Sequence, residues 1–151
     1  MMNFFEISEK LGPCGLNCSK CFAFADGSIK KFSTELKDNL GNFEIYAQRF
    51  SELLNKPVFK KYPDFNEMLA YFSTVECKGC RNDECKLFAA CNVKQCSKDH
   101  AVDFCFQCKE FPCNQHGFDE HLEKRWISIN NRMKENGVEN YYDEIKDKSR
   151  Y

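Results

Sequence analysis

The chain has no surplus of charge of either sign. Lys and Arg total 22 against 23 for Asp and Glu, so it lacks the basic excess that drives sequence-independent nucleic-acid binding. No apolar run approaches the ~20 residues a membrane helix needs. The first residues, MMNFFEISEKLG, show no basic start followed by a long apolar stretch, which argues against a signal peptide. Also missing are a glycine-rich phosphate loop, G-x-S-x-G, H-E-x-x-H, and H-x-E followed by C-x-x-C. Zinc hydrolase and deaminase chemistry therefore has no motif to carry it. No catalytic constellation is recognisable, and whether the chain is an enzyme stays open at this level.

What the chain does have is cysteine, eleven of them in 151 residues. A closed disulfide framework does not leave an odd count. With no export signal in view, the expected location is cytoplasmic, where thiols stay reduced and a cysteine-rich pattern reads as metal-binding or catalytic. The length suits one domain, 1–151. Three cysteines fall in 14–21 (CGLNCSKC), none in 22–76, eight in 77–113 and none in 114–151.

The two cysteine-free zones carry helical periodicity. In SIKKFSTELKDNL, Ile29, Phe32, Leu36 and Leu40 share a face and Gly41 supplies a stop. In FEIYAQRFSELL, Phe43, Ala47, Phe50 and Leu54 do the same, and Pro57 ends the run. Asp64 is placed as an N-cap with Glu67 three residues on, followed by an apolar stripe of Phe65, Met68, Leu69 and Phe72. These aromatic stripes are expected to be core. Phe118, Leu122, Trp126, Ile129 and Met133 mark a helix that Asn136-Gly137 closes, and a last helix spans about Glu139–Lys148. Between Cys77 and Cys113 helical periodicity is weak, with a short helix expected at Ser97–Val102. The fold class is mainly α: a small metal-stabilised domain with an irregular zinc-knuckle segment between helices.

A C-x-x-C turn presents two sulfurs to one ion, and four thiolates satisfy the tetrahedral preference of Zn²⁺. Cys77-Lys78-Gly79-Cys80 and Cys105-Phe106-Gln107-Cys108 have this form, and Gly79 permits a backbone conformation that other residues disfavour. A thioredoxin-like redox pair lacks its βαβ context here. Four thiolates on Zn²⁺ add a net charge of −2 to a segment that is already balanced, with Lys78, Arg81, Lys86, Lys94, Lys98 and Lys109 against Asp83, Glu84, Asp99, Asp103 and Glu110. A DNA-binding finger is therefore not expected. The spacing Cys14-x3-Cys18-x2-Cys21 also matches the three-thiolate binding of a [4Fe–4S] cluster that leaves one iron open. Against the radical enzymes that use it stand the short chain, the missing glycine-rich strand, and Lys20 where an aromatic is usual.

The partition of ligands stays open. One grouping takes Cys77, Cys80, Cys105 and Cys108, with Cys14, Cys18, Cys21 and Cys113 as a second site; pairing Cys91 and Cys96 with either knuckle is nearly as good. Cys85 stands alone and is set aside as a ligand. His100, His116 and His121 are read first as surface or capping residues, with His100 the nearest to a ligand role.

The ordered motifs CGLNCSKC, CKGC, CNVKQC and CFQCKEFPC, with the tail RMKENGVENYYDEI, resemble a family of short cysteine-rich bacterial and archaeal proteins known only as a domain of unknown function. The resemblance runs from about Gly12 to the final helices. It implies a metal-binding, zinc-type protein with Cys14, Cys18, Cys21, Cys77, Cys80, Cys91, Cys96, Cys105, Cys108 and Cys113 as ligands, and implies no activity. The expected role is thus a zinc protein holding two Zn²⁺ ions, the metal mainly structural, that binds an unknown protein or small-molecule partner and neither nucleic acid nor membrane. The alternatives are an iron–sulfur protein using Cys14, Cys18 and Cys21, and a thiol-dependent enzyme or redox sensor using a spare cysteine such as Cys85.

Overall fold

The computed structural model describes residues 2–151. Among them are seven α-helices, α1 (Phe4–Lys10), α2 (Ser28–Leu40), α3 (Phe43–Leu53), α4 (Tyr62–Ser73), α5 (Val93–Asp99), α6 (Glu120–Asn136) and α7 (Val138–Ile145), joined by short 3-10 turns. No β-strand occurs among the described residues, only isolated bridges between Leu11 and Asn17 and between Phe24 and Cys77. The mainly α class is therefore correct. No helix in the described residues is long and apolar enough to cross a membrane.

Local chemistry sets the helix ends. The start of α1, which the sequence reading passes over, is a reciprocal cap: Asn3 Oδ1 accepts the Glu6 N–H at 3.0 Å and Glu6 Oε2 accepts the Asn3 N–H at 2.9 Å. Helix α2 stops at Gly41 and α6 at Gly137, as expected. Asp64 does not cap α4. That helix begins at Tyr62 with Pro63 in its first turn, where a missing N–H costs nothing, so Asp64 lies inside the turn and favours the helix dipole. Helix α5 starts four residues earlier than expected, and α7 is shorter.

The main core joins α1, α6 and α7 to the loops at Cys14 and Phe104. Ile7, Leu11, Leu16, Phe104, Trp126 and Met133 lie at its centre. Burying each large apolar side chain contributes roughly 1.5–3 kcal/mol. Gly15 sits against this core with φ of 86°, and a Cβ there would overlap Ile129 Cγ2, so both backbone shape and space demand glycine.

Helices α2–α4, inserted between Cys21 and Cys77, add no residue to that core. They hold together through rings: Phe43 meets Phe50, Phe59 and Tyr62 at centroid distances of 6.0, 6.1 and 5.0 Å. The expectation of wholly buried stripes fails here. Ala47 and Leu69 are buried, but Phe32, Leu36, Phe65 and Met68 are exposed. Three short helices packed mainly on one another cannot cover every apolar side chain they carry.

Candidate metal centre

The cysteine loops are fixed by backbone partners before any sulfur is considered. The Cys105 N–H donates to the Pro13 carbonyl at 3.0 Å, which joins the first cysteine loop to the third. Cys77 N–H donates to Ala23 O at 3.0 Å and Cys77 O accepts from Ala25 N–H at 2.8 Å, which seats the CKGC turn beside the chain leaving Cys21. Gly79 takes φ of 90° in that turn, the conformation foreseen for it. Arg81 then clamps three segments. Its Nε donates to Ser8 O at 2.6 Å and Leu11 O at 2.9 Å, its Nη2 donates to Asp103 O at 2.8 Å, and its guanidinium lies 4.9 Å from the Phe104 ring centroid.

Asn130, fully buried on α6, links the same loops from the opposite side. Its Nδ2 donates to Cys14 O at 2.9 Å and its Oδ1 accepts the Phe106 N–H at 3.0 Å. A polar residue inside the apolar stripe of α6 was the sequence signal for this role. Arg150 had no such signal. It donates to Asn17 O at 2.8 Å and brings its charge close to Cys21, Cys18 and Cys14. Tyr151 follows, its hydroxyl 3.9 Å from Cys21 Sγ.

The sulfurs fall into two groups. In the first, Cys80 lies beside Cys18, its Cβ and the Cys18 Sγ standing 3.5 and 3.4 Å from the point where a Gly12 Cβ would be, and it lines one cavity with Cys14, Cys85 and Cys91. Cys14 Sγ and Cys18 Sγ each lie 3.4 Å from the point where a Gly12 Cβ would stand, so they are no further apart than the sum of those distances. Cys21 and Cys77 lie beside Cys18, buried with Ala23. The neighbouring Cys80 thiol pulls Cys18 and Cys85 down, while Cys80 itself is pushed up. Burial, helped by the neighbouring Cys18, pushes Cys14 up to about 12.

In the second group, Cys96, Cys105, Cys108 and Cys113 line one cavity of about 20 Å³ with His100, His116 and Trp126. Burial pushes Cys105 up to about 11, opposed by the neighbouring Trp126 indole. That indole N–H is buried and completes no hydrogen bond to any acceptor, sulfur included; Cys105, which lines the same cavity, is a candidate acceptor. A neutral thiol accepts weakly, whereas a thiolate satisfies such a donor.

His116 is buried, and both its ring nitrogens are engaged. The Phe118 N–H donates to His116 Nδ1 at 2.9 Å, so Nε2 carries the proton toward Glu123 Oε1, 3.3 Å away. His100 Nδ1 lies 2.9 Å from the Cys96 carbonyl, which only accepts, so Nδ1 is the donor. His121 is exposed.

This grouping differs from the one sequence spacing suggested. Cys77 and Cys80 are not gathered with Cys105 and Cys108, nor is Cys113 with Cys14, Cys18 and Cys21. Cys85, set aside on spacing, lines one cavity with Cys14, Cys80 and Cys91. Among the described residues no group of three or more His, Cys, Asp or Glu side chains is placed so that it could hold a metal ion. The thiols are neighbours, and their donor chemistry is what bears on metal binding.

Fold and site together define a mainly helical, cysteine-rich protein with two thiol centres. The chain belongs to the family described as "Protein of unknown function (DUF3795)", which matches residues 10–117. No curated protein and no solved structure matches it.

Proposed function

We propose that the chain is a zinc-binding protein whose metal is mainly structural, and that the ordered loops form a module for binding another protein or a small ligand. The observation that carries this reading is the second centre. Four thiols surround a space of about 20 Å³, room for a single ion or water and far below the 300–1,000 Å³ of ordinary ligand pockets. A buried indole N–H with no partner of its own lines the same cavity as Cys105, placed to serve a metal-bound thiolate as outer-shell donor. The cavity at the first centre, about 30 Å³, is of the same order and suits single ions better than an eight-atom iron–sulfur cube.

Four thiolates close a tetrahedral zinc, leaving no position for water or substrate. Both nitrogens of His116 are engaged. The role therefore falls to the loops the metal orders. Elemental analysis of anaerobically purified chain tests the reading: zinc is expected in stoichiometric amount, and Cys108→Ser should remove about one ion per chain. Stoichiometric iron with sulfide, or a folded chain without metal, contradicts it.

A further inference from the structure

Four of the eleven cysteines make up the second centre. The other seven form one connected group at the first, more thiols than a single tetrahedral ion can use. On one side of Cys80 stand two turns that each present a pair of sulfurs. Cys18 and Cys21 flank a 3-10 turn closed by the Cys21 N–H to Cys18 O bond of 3.0 Å. Cys77 and Cys80 flank Gly79, whose absent Cβ would lie 3.7 Å from Cys18 Cβ. On the other side stand Cys14, Cys85 and Cys91, which with Cys80 line the small first-centre cavity. Cys80 is the sulfur common to both sides.

We infer that the first centre is binuclear: Cys18, Cys21, Cys77 and Cys80 enclose one zinc-class ion, Cys14, Cys85, Cys91 and the same Cys80 enclose a second, and the Cys80 thiolate bridges them. This rests on the thiolate–metal reading of the proposed function. A thiolate keeps lone pairs after binding one ion and can bind another. With the second centre, three tetrahedral ions need twelve donor positions, and eleven cysteines supply them when one is shared. Two divalent ions on seven thiolates leave a net charge of −3, and two guanidiniums offset part of it. The Arg150 charge acts on Cys21, Cys18 and Cys14, and the Arg81 charge on Cys18 and Cys14. A buried anionic cluster needs such cations. The inference also accounts for Cys85, which spacing alone left without a purpose.

The test uses the full chain, reconstituted anaerobically with zinc for native mass spectrometry and with ¹¹³Cd for NMR. The expected result is three ions per chain, with two ¹¹³Cd resonances split by coupling through a shared sulfur and a third unsplit. Cys108→Ser should abolish only the unsplit resonance. Cys80→Ser should abolish the coupling; should that variant not fold, Cys21→Ser and Cys91→Ser, at opposite ends of the group, should each remove one resonance and collapse the splitting of the other. Two ions per chain without coupling overturns the binuclear centre and leaves the proposed function standing. No bound metal, or iron with sulfide, overturns both.

Discussion

The side-chain amide of Asn130 donates a 2.9 Å hydrogen bond to the Cys14 carbonyl from a position with no solvent exposure. The same amide accepts from Phe106 N–H at 3.0 Å, so one residue of α6 sets the spacing between the two thiol centres. Replacing it by alanine strands a buried carbonyl and a buried N–H, each costing about 1–3 kcal/mol. Asn130→Ala should lower the unfolding free energy of the metal-loaded chain by about 2–4 kcal/mol in urea titration. A loss under about 0.5 kcal/mol, the range of inert surface changes, would show that the link is dispensable.

The indole N–H of Trp126 should matter to the second centre and not to the first. The chain has one tryptophan, so global replacement by its benzothienyl isostere removes the N–H at nearly constant shape. Loss of an outer-shell donor should weaken metal binding at the second centre by roughly 10–100-fold, read by chelator competition with Cys108→Ser as the site marker. Unchanged competition curves would mean the N–H does not act on Cys105.

Tyr141 gives the stability a pH dependence of known sign. Burial pushes its hydroxyl up to about 12 from an ordinary value of 10, and the neutral hydroxyl donates to Gly15 O at 3.3 Å. The raised folded value means its contribution is complete below pH 10 and is lost as pH climbs toward 12. Wild type should therefore exceed Tyr141→Phe by on the order of 1 kcal/mol at pH 8, and the advantage should shrink and reverse between pH 10 and 12. A difference that stays constant over that range would contradict the account.

The exposed stripes of α2 and α4 predict tolerance where periodicity predicts a core. Phe32 is 61% exposed, so Phe32→Glu should shift the urea midpoint by less than about 0.5 kcal/mol equivalent. A cost above about 2 kcal/mol would place this ring in a core after all.

The sequence was most informative where local chemistry decides. Gly41, Gly137 and the spacing of Leu122, Trp126, Ile129 and Met133 located α2 and α6 because caps and amphipathic faces are short-range properties. Gly79 announced its turn for the same reason. The thiol partition was not legible, because it depends on contacts across the chain: Arg81 reaching Ser8, Leu11 and Asp103, Asn130 reaching Cys14, and Arg150 folding back to Asn17. Cys85 looked isolated in sequence because its partners Cys80 and Cys91 are brought to it by folding and not by a two-residue spacing. The α2–α4 faces misled because periodicity reports amphipathicity, while burial also needs a second surface to pack against.

X-ray absorption at the zinc edge of the anaerobically purified full chain tests the central claim most directly. Thiolate centres predict a first shell of sulfur alone, about four per zinc at ~2.3 Å. A shell containing nitrogen or oxygen near ~2.0 Å, or no zinc signal from a folded chain, would contradict the assignment of these cysteines as the metal's ligands.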